Sequence, residues 1–100
     1  MKPSEILKTQ KKKNWCMWDY WKLNEYDLYN DRFCFNGFIF NKKLGRPIPE
    51  KGDEDMNKVY DWNLNGRYIH DVIAEINDSK NMTFTEKKNL AIQFLEREGL

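Results

Sequence analysis

The chain has 100 residues, 40% hydrophobic and 33% charged, with 17 basic and 16 acidic side chains and a formal net charge of +1. This is one globular domain, 1–100, with material for a modest core; it is neither an acidic nucleic-acid mimic nor a domain that holds nucleic acid by net charge alone. Residues 1–13 lack the apolar run of a signal peptide and nothing is long enough to span a bilayer, so a cytoplasmic protein with reduced Cys16 and Cys34 is expected.

In chain order, Pro3 and Ser4 open a short helix carrying Ile6 and Leu7, with Ser4 as its N-cap. Residues 8–14 are almost wholly polar, with Lys8, Lys11, Lys12 and Lys13, and read either as a solvated helix or as part of a flexible basic arm, 1–14. Trp15, Cys16, Met17, Trp18, Asp19, Tyr20 and Trp21 form the densest aromatic cluster. Trp15, Trp18 and Trp21 stand at i, i+3 and i+6, a loose helical stripe, and a helical aromatic segment is preferred over strand alternation. Tyr26, Leu28 and Tyr29 are read as a short strand leading into the next element.

That element is the most legible in the chain. Asn36-Gly37 sits between two short aromatic runs, Phe33-Cys34-Phe35 and Phe38-Ile39-Phe40. Asn-Gly is the strongest short hairpin signal, because both central residues of a type I′ turn need φ > 0. The implied register puts Phe33, Phe35, Phe38 and Phe40 on one face, which should be buried as a unit. A lone hairpin is marginal, so a three-stranded meander around 26–41 is expected.

Lys42 to Gly52 is a loop with Pro47, Pro49, Gly45 and Gly52. Asp53 caps a short turn. Asn65 precedes a helix over 66–77, whose large apolar residues Tyr68, Ile69, Val72, Ile73 and Ile76 fall in one arc. Thr83 and Glu86 form a capping box opening a helix over 84–98, with Gly99 as its stop. The apolar arc of this last helix is roughly 200° wide, more than one core face requires. The excess lies at Leu90, Ile92 and Phe94: either the helix is wedged between two elements of its own chain, or a second copy covers one flank. The expected fold is therefore α+β, a small antiparallel sheet packed against an αα-hairpin.

Chemistry is sparse. His70 stands beside Asp71, and adjacent helical residues do not face each other, so no catalytic pair is expected. Cys16, Cys34 and His70 lack zinc spacings. Asp53, Asp55 and Asn57 match the start of a calcium loop, but Lys58 and Leu64 occupy its Gly and Glu positions. No cofactor, metal or catalytic residue is expected. Asn65 and Arg67 at a helix start could hold an anion. Gly37-Phe38-Ile39-Phe40 looks like a fragment of the aromatic strand of an RNA-recognition domain, but the helical second half does not fit that fold.

What remains is aromatic surplus, which usually means an interface. The expected function is non-enzymatic binding of a protein partner through Trp15, Trp18, Tyr20 and Trp21, with Lys42, Lys43 and Arg46 beside them. Lys outnumbers Arg 13 to 4 and there are 11 Asn, a coding bias that fits an A/T-rich genome and, with the small size, a phage-encoded inhibitor of a host defence or replication protein. The alternatives are a single-stranded nucleic-acid module using 8–13 and the Trp cluster 15–21, and a binder of a small nucleotide-like ligand.

Overall fold

The computed structural model describes residues 1–22, 31–48, 54–62 and 64–100. They form four α-helices, α1 (Pro3–Lys8), α2 (Phe35–Leu44), α3 (Gly66–Asp78) and α4 (Phe84–Arg97), with 3₁₀ turns at Lys12–Asn14 and Glu54–Lys58. No strand occurs among the described residues; pairing is limited to isolated bridges, Trp15 with Phe33 and Lys22 with Arg32. The expected α+β fold is not formed, and the fold is all-helical. Of the expected meander, 26–30 lies outside the described residues, and 35–41 is helix.

The Asn-Gly pair that reads as a turn sits in the first turn of α2. Cys34 is its N-cap, Sγ accepting the Gly37 N–H at 3.3 Å, and Gly45 in the left-handed region (φ 72°) ends it. Gly37 is required by contact rather than by turn geometry: a Cβ there would lie 1.8 Å from the Tyr20 carbonyl oxygen. Asn36 is buried, and its amide donates to the His70 carbonyl at 3.0 Å and accepts the Tyr60 hydroxyl at 3.2 Å. Phe35, Phe38, Ile39 and Phe40 surround the helix and are all buried. A helix apolar all round has no 3.6-residue stripe, so its pattern cannot be told from a buried strand. The four phenylalanines 33, 35, 38 and 40 do share one cluster, but Phe35, Phe38 and Phe40 reach it from around a helix and Phe33 from the bridge before it. Each such buried side chain contributes roughly 1.5–3 kcal/mol.

The C-terminal half forms as its periodicity predicts. Both bonds of the Thr83–Glu86 capping box are present. The end of α4 is a full Schellman motif: Leu100 N–H donates to Leu95 O at 2.8 Å, Gly99 N–H to Glu96 O at 3.1 Å, and Gly99 has φ 79°. α4 packs against both α1 and α3, while α2 packs against α1 and α3 from the other side. The wide apolar arc of α4 is therefore used within the chain. Ile92 and Phe94 are buried, and of the three residues considered for self-association only Leu90 is exposed.

Two adjacent lysines on α4 close the ends of two other helices. Lys87 is buried, donates to Asn77 O at 3.0 Å near the end of α3, and lies 5.0 Å over the Trp15 ring. Lys88 donates to Lys8 O and Gln10 O, both at 2.8 Å, at the end of α1. A cation at a helix C-terminus meets the free carbonyls and the negative end of the dipole.

The first 14 residues are part of the folded body. Ile6, Leu7 and Gln10 are buried. The N-cap of α1 is Lys2, with Pro3 at the first helical position, and Ser4 instead donates Oγ–H to Leu100 O at 2.9 Å. The aromatic segment 15–21 is not helical: Trp15 sits in the bridge to Phe33, and the chain then turns at 17–18. No helix among the described residues is long and apolar enough to cross a membrane.

Candidate functional site

His70 is the first place to look for chemistry. Contrary to the expectation from helix geometry, it does meet Asp71: Nδ1 lies 3.1 Å from Asp71 Oδ1, and Nε2 lies 2.6 Å from the Tyr20 hydroxyl. The ring is stacked on Phe40 (6.2 Å, 2°) and flanked by Tyr20 and Trp62. It is 3% exposed. This Tyr–His–Asp chain, buried at His70 and exposed at Asp71, ties the 16–22 segment to α3.

Neither cysteine is an activated nucleophile, since a reactive thiol needs a lowered pKa. Burial pushes the Cys34 thiol from 9.0 up to about 12 and the Cys16 thiol up to about 11. Burial likewise lifts the Tyr20 hydroxyl from 10.0 to about 12, and raises Tyr60 as well. All four groups hold their protons more tightly in the folded chain than in the unfolded one. Their contribution is complete below the unfolded values and is lost as pH rises through the folded ones. The urea-unfolding midpoint is therefore expected to fall between about pH 9 and pH 11, the interval in which these thiols and phenols titrate when unfolded; a midpoint flat or rising across it would contradict this burial. No group of three His, Cys, Asp or Glu that could hold a metal ion occurs among the described residues.

Of the aromatic residues expected at an interface, Trp15, Tyr20 and Trp21 are partly buried and pack against the core. Trp15 donates Nε1–H to Asn77 Oδ1 at 2.7 Å and packs on Phe35 and Phe84. Tyr20 packs on Phe40 and His70, and Trp21 donates Nε1–H to Asp31 Oδ2 at 2.9 Å. Trp18 alone stands out, 73% exposed, with φ 75° and its N–H donated to Asp78 Oδ1 at 2.9 Å. Arg46 pairs with Asp55 at 2.6 Å, and that carboxylate also takes Lys58 at 2.9 Å. The Arg46 hydrogen bond, then that of Lys58, holds Asp55 below the usual carboxylate range. At the start of α3, Asn65 makes no side-chain cap and Arg67 is exposed.

The basic runs, far apart in sequence, do meet. A cleft of about 560 Å³ is lined by Lys11, Lys13 and Lys42, by Asn14 and Asn41, and by Phe33 and Phe38. Lys42 Nζ lies 5.6 Å over the Phe38 ring. Beside the cleft, Gln10 is 1% exposed, and its Nε2 donates to Asn14 O at 3.1 Å and to Phe33 O at 2.9 Å, tying together two lining residues. This side chain pins the 3₁₀ turn Lys12–Asn14 against the start of α2, and the turn presents Lys11 and Lys13 on the cleft. Lys8 is drawn away to Glu96 (3.2 Å), and Lys12 and Lys43 lie outside the lining. Asp31 is the carboxylate on the cleft and is engaged by Trp21.

Charge is also segregated along the chain. Residues 1–48 carry ten basic and five acidic side chains, and 49–100 carry seven and eleven. The near-zero total hides a basic half and an acidic half. Gln10, Asn14 and Asn41 carry no sequence signal as site residues, because their role exists only once 9–14 and α2 are side by side. No family model, curated protein or solved structure matches the chain.

Proposed function

We propose that the protein is a non-enzymatic binding module whose ligand is a single-stranded nucleic acid, taken in the cleft between the 9–14 segment and the second half of α2. The observation that carries this reading is the convergence of Lys11, Lys13 and Lys42 on one cleft of about 560 Å³. Lysines supply the sequence-independent part of nucleic-acid binding by neutralising phosphates and releasing counterions. Asn14, Asn41 and Thr9 add amide and hydroxyl groups for sugar and base edges. A net charge of +1 does not describe the cleft, where three lysines stand beside Asp31, and it is the local field that gathers a polyanion.

A second reading, docking on a protein partner, is supported by Trp18. A tryptophan in the left-handed region costs on the order of 1–2 kcal/mol, and this one is 73% exposed. One measurement tests the first reading. In fluorescence anisotropy with labelled oligothymidine, three phosphate contacts correspond to a slope of log affinity against log salt of about −2. Changing Lys11, Lys13 and Lys42 together to Ala is expected to weaken binding about tenfold or more at low salt and to flatten that slope, while Trp18→Ala leaves the affinity unchanged. No binding at low salt, or binding indifferent to the triple change, overturns the cleft reading; a loss confined to Trp18→Ala moves the site to the Trp18 turn.

A further inference from the structure

A second cleft, of about 660 Å³, lies at the other end of α1 and is lined by Lys2, Pro3, Glu5, Lys43, Lys58 and Val59 among others. The two clefts are related by two elements. α1 begins at the second cleft, with Lys2 and Pro3, and the chain leaving it reaches the first, with Thr9 and Lys11. Six residues of helix separate those ends, about 9 Å. The last turn of α2 lies against α1, and its adjacent lysines divide between the two: Lys42 lines the first cleft and Lys43 the second. Lys42 and Lys43 are consecutive on a helix, roughly 100° apart, so one turn can address both sides.

We infer that these clefts are two stations of one track, and that a single strand crosses the last turn of α2 from the Lys11–Lys13–Lys42 cleft to the Lys2–Lys43–Lys58 cleft. The inference rests on the function proposed above and extends it: the ligand is a chain of several nucleotides, not a mononucleotide. The first cleft sets three lysines beside Asp31; the second sets Lys2, Lys43 and Lys58 beside Glu5, with Met1 and Leu100 also in its lining. Lys58 already pairs with Asp55 at 2.9 Å, so Lys2 and Lys43 are the principal cations of the second station. Both are exposed, so replacing them should leave the core intact. A nucleic acid is favoured over an acidic peptide because lysine amines are joined here by Asn14, Asn41 and Thr9, groups that suit sugars and base edges.

The test is a length series of labelled oligothymidines from 2 to 12 nucleotides against the full chain. Affinity is expected to climb with length and to level off once both clefts are spanned, at on the order of 6 nucleotides. The salt slope should steepen from about −1 for the dinucleotide, with its single phosphodiester, to about −4 once five to six phosphates are engaged. Lys2→Ala with Lys43→Ala should weaken the 12-mer about tenfold, returning it toward short-oligonucleotide affinity, and leave the dinucleotide unchanged. If short and long strands bind alike, or the double variant binds the 12-mer as the parent does, the track is overturned and the single cleft stands. If no length binds, both readings fall. If polyglutamate of equal charge displaces the 12-mer as well as unlabelled oligothymidine does, the ligand class is wrong.

Discussion

Gly37→Ala is expected to destabilise the fold by about 3 kcal/mol or more, which for a chain this short lowers the melting temperature by roughly 12–24 °C. The sign is the informative part. Within a helix, Gly→Ala ordinarily stabilises by about 1 kcal/mol, because alanine loses less backbone entropy. At this position the added methyl would meet the Tyr20 backbone, with the carbonyl oxygen at 1.8 Å, the carbonyl carbon at 2.6 Å and Cα at 2.8 Å. Backbone cannot rotate away as a side chain can. Either the 19–21 segment lifts off α2, taking the Tyr20–His70 hydrogen bond and the Tyr20–Phe40 contact with it, or α2 shifts out of a close-packed core. Gly45→Ala is the control. Its backbone is left-handed, but nothing lies within 4 Å of the added carbon, so only a strain of about 1–2 kcal/mol is expected. Urea unfolding of the two variants measures the difference; a neutral or stabilising Gly37→Ala would mean that Tyr20 does not lie on α2.

Asn77→Ala is expected to cost about 3–5 kcal/mol, a large part of the 5–15 kcal/mol typical of a domain. The side chain is 1% exposed and serves three elements at once. Its oxygen accepts the Phe35 N–H at 2.9 Å and the Trp15 Nε1–H at 2.7 Å. Its amide donates to Cys16 O at 3.2 Å and to Asp78 Oδ1 at 2.9 Å. Phe35 is the first residue of α2, so its N–H has no partner within the helix; Asn77, near the end of α3, caps α2 from outside. Alanine leaves that N–H, the indole N–H and the Cys16 carbonyl without their bonds, each worth about 1–3 kcal/mol when buried. Trp15 reports the change directly, since its ring loses its polar anchor. Urea unfolding followed by tryptophan fluorescence gives the stability loss and the spectral shift together. A cost below about 1 kcal/mol, the net worth of one ordinary hydrogen bond, would sink the bridging role.

How much of this was written in the residues depends on whether the information is local. α3 and α4 were legible to within a residue or so because their signals are local. Apolar spacing, the Thr83–Glu86 box and the Gly99 stop are set by a few neighbouring residues, whatever else the chain does. The shared burial of Phe33, Phe35, Phe38 and Phe40 was legible too, because burial follows from side-chain chemistry in either backbone form. The backbone of that same stretch was not. Asn36-Gly37 satisfies a type I′ turn locally, but the chain spends Asn36 on the His70 carbonyl and Tyr60, and Gly37 on the close approach of Tyr20. Those partners lie far away in sequence, and the contacts with them outweigh the turn preference.

The candidate site divides the same way. Its lysines were visible as two basic runs, and charge is a property of residue type. That Lys11, Lys13 and Lys42 face one cleft was decided by Gln10, which holds the 9–14 segment to Phe33. Of the tryptophans, sequence placed four large rings in the chain and could not say which were core. Asn77, Asp31 and the rings of Phe35 and Phe84 absorb Trp15 and Trp21, and leave Trp18 outside. The sequence by itself determined two C-terminal helices, read at 66–77 and 84–98 and formed at 66–78 and 84–97, the capping box and glycine stop of the second, and the shared burial of Phe33, Phe35, Phe38 and Phe40. Tertiary structure decided that the aromatic stretch at 35–44 is a helix and that the basic runs share a surface, because both outcomes depend on partners brought together only when the whole chain packs.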